Sequence, residues 1–317
     1  MKFTPFNEHF AQQAADLVLE KYELIHPSHT ALQPNAFTKS VIASDLTEWA
    51  GDGASVVAHE GDRLEGFIVG RFINFYQSNN AFFSPDWGHA VANSNPDRVL
   101  TEMYAWLTRS GQVDGSTVHA ISTYDADSAL KTALHNLEFG VHMMEGVLDI
   151  PADQTPLSQL EGITIRSAEP DDVNAIISLD KQLWAHLALP PTSLGVEIGD
   201  YPADSPKYRV PREGLYVSVA ELEGQLVGFI SSQLGVQEFT GLRNPKIPAI
   251  NGAFVHEDHR NTDIGQALLD DIFRHARAIS APYVTVDFES TNVEGSGFWR
   301  SRRFTPLAYG MTRRIPV

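Results

Sequence analysis

The chain has 317 residues, 43% of them hydrophobic and 20% charged, which suits two ordinary domains with well-formed cores. A formal net charge of −17 argues against nucleic acid as the main partner and against docking on an anionic membrane surface. There is no cysteine, so disulfides, thiolate metal sites and a cysteine nucleophile are excluded together.

The start, Met1 to Glu8, lacks the apolar run of a signal peptide, and no stretch approaches the length of a membrane span. The expectation is a soluble cytoplasmic protein. Phe3 to Phe6 is a short strand. Residues 8–25 are helical, with Phe10, Ala14, Leu17, Val18 and Leu24 on one side. A loop over 26–36 and a second helix over 37–49 follow. Residues 56–59 and 64–72 are strands joined by Glu60-Gly61-Asp62-Arg63, a hairpin signal. Phe82 and Phe83 begin a strand, 85–96 is a loop, and 96–110 is a helix. A strand at 118–122, a helix at 127–136 and a strand at 140–150 close the first half.

Residues 151–161 contain Pro151 and Pro156 among small polar residues and are the linker between a domain at 1–150 and a second at 162–317. The order of elements then restarts. A strand at 163–166 and a helix at 171–187 precede a long Pro- and Gly-containing segment, 190–211. A hairpin runs from Leu215 to Leu222 and from Gln225 to Leu234. A strand ending at Ala253-Phe254-Val255, a polar turn and a helix come next. A strand at 283–288, a helix near 294–302 and a strand at 307–315 finish the chain.

The halves repeat one another. At an offset of 162, Phe3 falls on Ile165, and Ala58, Leu64, Gly66, Phe67 and Ile68 fall on Ala220, Leu226, Gly228, Phe229 and Ile230. At an offset of 172, Ala81, Phe82 and Asp86 fall on Ala253, Phe254 and Asp258. Several matches in order, within one succession of elements, indicate an internal duplication.

The stretch from Ala253 to Leu269 concentrates the chemistry. After the strand, Ile264, Leu268, Ile272, Ala276 and Ile279 form one apolar helical stripe. Thr262 or Asp263 can cap the first turn. Free backbone N–H groups at such a helix start bind anions such as phosphate, and Gly265 allows a close approach to the backbone. Locally, an ordinary strand–turn–helix explains the pattern as well. His256 and His259 flank the turn, but their spacing in a short acidic loop is weak support for a metal site.

With its neighbours, the stretch resembles the GNAT superfamily of acyl-CoA-dependent N-acyltransferases. That family's central motif is Gln or Arg, two residues, Gly, one residue, then Gly or Ala. Here Arg260-Asn261-Thr262-Asp263-Ile264-Gly265 matches at Arg260 and Gly265 and departs at Asp263, where Gly is usual. A second motif matches at Asn292 and Phe298, while Trp299 stands where many members carry Tyr. The resemblance implies two tandem GNAT-like domains of the α/β (α+β) class, each a mixed, mostly antiparallel sheet flanked by helices. It also implies acetyl-CoA as co-substrate, no metal, and a small amine as acyl acceptor. In the first half Gly88 stands opposite Arg260, no matching turn follows, and Asp127 stands opposite Asn292, so that half is a degenerate copy.

The implied cofactor-binding residues are Phe254, Val255, Arg260, Asn261, Thr262, Asp263, Ile264 and Gly265, with Asn292 on the pantetheine arm and Phe298 along its wall. Asp263 repels phosphate unless it faces solvent. Asn292 reads equally as a helix cap, and Phe298 and Trp299 as core. The implied oxyanion donor is a backbone N–H near Val255. An indole is no practical acid, so nothing at Trp299 protonates a leaving thiolate. For proton transfer the sequence offers Asn251, which can only orient a water, the carboxylates Glu238 and Glu289, and Tyr309 as an acid. A CoA-binding protein without turnover is the alternative to an N-acetyltransferase.

Overall fold

The computed structural model describes residues 1–75, 79–92, 96–150, 160–194, 208–235 and 246–315. The first half runs β1 (Lys2–Thr4), α1 (Ala11–Ile25), α2 (Lys39–Asp52), β2 (Ala54–Glu60), β3 (Arg63–Phe75), β4 (Asn79–Ser84), β5 (His89–Val91), α3 (Pro96–Arg109), β6 (Val118–Tyr124), α4 (Ser128–Asn136) and β7 (Gly140–Asp149). The second runs β8 (Ile163–Ser167), α5 (Val173–Ala188), β9 (Leu215–Leu222), β10 (Gln225–Leu234), β11 (Pro248–Val255), α6 (Ile264–Ala278), β12 (Tyr283–Glu289), α7 (Val293–Ser301) and β13 (Thr305–Arg314). The class is α/β, as the sequence indicates: mixed sheet, mostly antiparallel, with helices against it.

The chain forms two compact units whose limits differ from the expected division at 150 and 162. The first unit contains residues 1–144 and takes β13 from Pro306 onward. There β13 pairs antiparallel with β6, from Ala308 opposite Tyr124 to Arg314 opposite Val118. The second unit begins at Glu145, inside β7, and runs to Thr305. In it the end of β7 lies beside β12: Ile150 N–H donates to Pro282 O at 3.2 Å, and Gly146 faces Phe288 and Val286. Each unit is thus closed by the last strand of the other sequence half. A strand's side chains encode which faces are buried but not which strand lies alongside, so the division looked sequential from the chain alone.

The duplication is carried in the register. In the first unit Phe3 lies opposite Ala58, Ala58 opposite Gly66, and His59 opposite Leu64 across a bulge. In the second Ile165 lies opposite Ala220, Ala220 opposite Gly228, and Glu221 opposite Leu226 across a bulge at the same place. The offset of 162 therefore holds pair for pair. The offset of 172 does not. Phe83 lies between Arg71 and Ala120 as Ala249 lies between Gln233 and Thr285, and Ala90 lies opposite Phe67 as Phe254 lies opposite Phe229. The first unit splits the fourth strand into β4 and β5 by inserting Pro85-Asp86-Trp87-Gly88, where β11 has only Asn251-Gly252. The short β5 was expected as loop, because three residues show no alternation to read.

Helix α6 buries Ile264, Leu268, Ile272 and Ala276 of the predicted stripe against β9 and β10, while Ile279 is its half-buried C-cap residue. Helix α5 covers the opposite face. Ile176 and Leu179 pack there with Val217, Val219, Phe229 and Phe254, whereas Tyr216, next along β9, stacks on His275 of α6.

His119 on β6 is held neutral by this packing. It is 1% exposed and hydrogen-bonded to the Tyr104 hydroxyl at 2.8 Å, and burial, aided by Arg313, lowers its pKa from 6.5 to about 4. A histidine whose folded pKa is depressed binds fewer protons folded than unfolded in that window, so its contribution is complete above pH 6.5 and lost as pH falls towards 4. The thermal midpoint, measured between pH 7 and 4.5, is expected to fall with acidification, and to fall less for His119→Gln. Equal slopes in the two proteins assign the acid sensitivity elsewhere.

Candidate functional site

Strands β11 and β12 are parallel partners for only two pairs, Ala249 with Thr285 and Ile250 with Val286. The next residue, Asn251, is skipped in the pairing with β10, where Ser231 lies opposite Gly252 and Ser232 opposite Ile250. Asn251 is thus a β-bulge, and β11 parts from β12 where the bulge bends it. Ser231 Oγ donates to Asn251 Oδ1 at 2.8 Å and fixes the bulged side chain.

Beyond the bulge β11 stays paired with β10 up to Val255. His256 N–H donates to Val227 O at 2.9 Å. Because alternate residues of an antiparallel strand turn their amides to the same side, Phe254 also bonds β10, while Ala253 and Val255 present N–H and C=O to the gap left by β12. Val255 O is taken by Arg260 Nε at 3.1 Å, and the Arg260 guanidinium lies 5.3 Å from the centre of the Phe254 ring. Arg260 folds the turn back on the strand it follows and leaves the Val255 N–H facing the gap.

The turn runs through one 3₁₀ turn, Glu257–His259, and a left-handed residue, Asn261 at φ 59°. Thr262 Oγ1 donates to His259 O at 2.7 Å. Asp263 occupies the N-cap position of α6 but makes no side-chain cap bond; its carboxylate is exposed. The nearest side-chain acceptor, Thr262 Oγ1, is 3.5 Å from Ile264 N. The first amides of α6 are therefore presented rather than capped, with the positive end of the helix dipole behind them.

Helix α7 completes the wall. Gly265 lets Phe298 pack closely: a Cβ at 265 would lie 3.0 Å from the ring. Phe298 is half-buried, with the Arg302 guanidinium 4.9 Å from its centre. Trp299 is 5% exposed and packs edge-on against Phe304, so it is core. Asn292 caps α7, its Oδ1 accepting from Gly295 N at 3.1 Å. Asp127 caps α4 through Leu130 N at 3.1 Å, at the matching place in the first unit. Capping is common to both copies, while an amide Nδ2 donor exists only in the second.

Of the proton-transfer candidates, Asn251 is the bulge residue itself. Glu289 ends β12, half-buried, and its carbonyl accepts from Asn292 N. Tyr309 falls in the first unit, where its hydroxyl donates to Asp125 Oδ1 at 2.9 Å. Glu238 lies outside the described residues, as do the linker up to residue 159 and most of the long segment 190–211. Among the described residues no group of three or more His, Asp or Glu that could hold a metal gathers, and no helix is long and apolar enough to cross a membrane.

The matching place in the first unit is bridged and filled. The Tyr124 hydroxyl, opposite Glu289 in the repeat, donates to the Asp86 carboxylate inside the inserted residues. Lys21 Nζ donates to Asp86 O at 2.5 Å and to His89 O at 2.7 Å, and His89 corresponds to Ala253, whose backbone faces the gap. Burial lowers the Lys21 pKa, while Asp127 and Asp86 pull it upward. An internal cation thus sits where the second unit leaves its gap.

A hairpin frame repeated in register, with a parallel pair that parts at a bulge and a turn into an uncapped helix in the second copy, defines the fold class: tandem GNAT-like domains. Residues 182–303 match the family model described as Acetyltransferase (GNAT) family. Three solved structures share the fold along the whole chain. A GCN5-related N-acetyltransferase from Sphaerobacter thermophilus has 13% identity and a TM-score of 0.61, with 100% of this chain and 96% of that one covered. A tandem GNAT protein from the clavulanic acid biosynthesis pathway has 15% identity and a TM-score of 0.51, covering 100% and 99%. A GNAT-family acetyltransferase from Colwellia psychrerythraea has 13% identity and a TM-score of 0.51, covering 100% of both chains. No curated protein matches the chain in sequence.

Removing the first unit's internal cation is expected to weaken that unit. Lys21→Met leaves the Asp86 and His89 carbonyls without their donor, a loss of about 1–3 kcal/mol in urea unfolding. A change under about 0.5 kcal/mol contradicts the assignment.

Proposed function

We propose that the second unit transfers an acetyl group from acetyl-CoA to the nitrogen of a small amine. The observation that carries the reading is the coincidence of two features in one unit: β11 parts from β12 at Asn251, and the turn after β11 delivers an uncapped helix start. Both kinds of group that acetyl-CoA needs are present, backbone donors for a pyrophosphate and a slot edged by unpaired strand amides for a thioester. The exposed Asp263 carboxylate does not oppose a phosphate there, and its first-half counterpart region has no such turn.

Acetyl-CoA supplies an acetyl group activated as a thioester. The amides of Ile264, Gly265 and Gln266 hold the pyrophosphate on the helix dipole. Asn292 Nδ2 orients the pantetheine arm, and Phe298, pressed on Gly265, forms its apolar wall. The Val255 N–H, kept off the sheet by the parting of the strands, stabilises negative charge on the carbonyl oxygen as the amine adds. A chain of net charge −17 is a favourable surface for a cationic amine. Site residues Phe254, Arg260, Asn261 and Thr262 shape the turn rather than touch the cofactor.

One observation favours a second reading, binding without turnover: Trp299 is core where many relatives place an acid, and Tyr309 is hydrogen-bonded within the other unit.

Isothermal titration with acetyl-CoA is expected to give one site per chain. Gly265→Trp displaces Phe298 and is expected to weaken binding at least tenfold, with circular dichroism confirming that the protein is folded. No binding by the parent overturns the proposal. Binding with no thiol release, with or without amines, selects the second reading.

A further inference from the structure

The α5 face of the bulge carries a polar cluster that the preceding reading does not use. The Tyr208 hydroxyl, 0% exposed, donates to Asp180 Oδ1 at 2.7 Å, and Asp180 on α5 is itself 1% exposed. A Cβ at Gly252 would lie 2.8 Å from the Tyr208 oxygen and 3.0 Å from Ser231 Oγ. Both hydroxyls therefore line the space that the missing side chain leaves, beside the residue at which β11 leaves β12. Ser231 is also bonded to Asn251, so the bulge, two hydroxyls and one carboxylate form a continuous polar group in an otherwise apolar layer of Ile176, Leu179, Phe229 and Phe254.

The first copy shows that packing does not demand these groups. At the offset of 162 that holds through both hairpins and sets α1 against α5, Asp180 and Ser231 correspond to Val18 and Val69. Those two are 1% and 0% exposed and share one core cluster. The same positions are thus filled by hydrocarbon in the unit whose gap is plugged, and by a carboxylate and an alcohol, with the Tyr208 phenol on the carboxylate, in the unit whose gap is open. Burying a carboxylate where valine packs is unfavourable unless the charge is used.

We infer that Tyr208 and Asp180 are the proton-handling pair of the acetyl transfer, with Ser231 and Asn251 holding the bulge against which they lie. The inference rests on the acetyl-CoA reading. A thioester whose oxygen bonds a strand amide lies in the plane of the sheet, so its carbonyl carbon is attacked from one face of the sheet or the other. The α6 face is closed by apolar side chains, Leu268 reaching to Gly228. The α5 face offers the hydroxyl of Tyr208. As the nitrogen of the amine forms its bond to the carbonyl carbon, an N–H proton passes to the Tyr208 oxygen and the Tyr208 proton passes to Asp180. The C–S bond then breaks with its electron pair on sulfur, and the proton returns along the same two groups to the thiolate. The products are the amide and the free thiol, and Tyr208 and Asp180 end as they began. With water as nucleophile the same sequence gives acetate, released as the acid, and the thiol.

The test uses acetyl-CoA and the full-length protein, with thiol release followed in buffer and with a panel of amines. Tyr208→Phe keeps the ring against Phe229, and Asp180→Asn keeps the shape of the carboxyl. Each is expected to bind acetyl-CoA within about threefold of the parent while its enzyme-dependent thiol release, by water or by the best amine, falls at least thirtyfold. In both variants kcat is expected to fall while the KM for acetyl-CoA stays within about threefold of the parent, a split that a purely structural role does not produce. Thermal melts separate folding from chemistry. Should the parent bind acetyl-CoA yet release no thiol above the spontaneous rate, or should both variants turn over like the parent, the pair is not the proton relay. Absence of acetyl-CoA binding by the parent removes the acetyl-CoA reading itself.

Discussion

The second unit depends on one constraint: a parallel pair of strands held together for two residue pairs and then forced apart. Backbone amides released from a sheet inside a protein must find other partners, because an unpaired buried donor or acceptor is unfavourable by more than a typical hydrogen bond contributes. The chain meets that demand asymmetrically. Val255 O is satisfied by the Arg260 guanidinium, which ties down the turn. The Val255 N–H is left facing the gap. Parting, turn and presented helix start are therefore one device, since the Arg260 that fixes the turn does so by bonding the strand that parted.

The two copies show two solutions to the same demand. In the first unit four residues where the second has two lengthen the interruption of the fourth strand, and the gap is closed from inside: Tyr124 bonds Asp86 across it, and Lys21 binds the carbonyls of Asp86 and His89. In the second unit the bulge is shorter, and Leu183 stands at the position of Lys21. Degeneracy of the first copy is thus not a loss of order. An internal cation has taken over the carbonyls, and the register of the surrounding hairpin is preserved pair for pair.

Much of this was legible in the chain. The Leu-x-Gly-Phe-Ile repeat located both hairpins because glycine opposite alanine and alternating apolar residues fix a register. The α6 stripe and the polar turn gave the helix start, and the cap reading of Asn292 is realised in the structure. Strand exchange was not legible, since β7 and β13 show the same alternation whichever strand lies beside them. The place of Tyr309, hydrogen-bonded to Asp125 in the first unit, could not be read for the same reason. The Asp180–Tyr208 pair was missed, although a signal existed. Asp180 interrupts the apolar face of Ile176, Leu179, Leu183 and Leu187, and a charge on a buried helical face needs an explanation.

That explanation bears on how a duplicated fold keeps one working site. Burial of Val18 and Val69 in the first unit contributes to its core, whereas Asp180 and Ser231 in the second give up part of that apolar contribution for hydrogen bonds that mainly offset desolvation. Polar groups confined to the face of a bulge, in the copy whose strands part, are arranged for proton transfer rather than for packing. The copy that has hydrocarbon there needs no such access, because Lys21 already occupies its gap. The opening of the strands and the polar lining of the α5 face therefore belong together: each is of little use in the absence of the other, and the first unit lacks both.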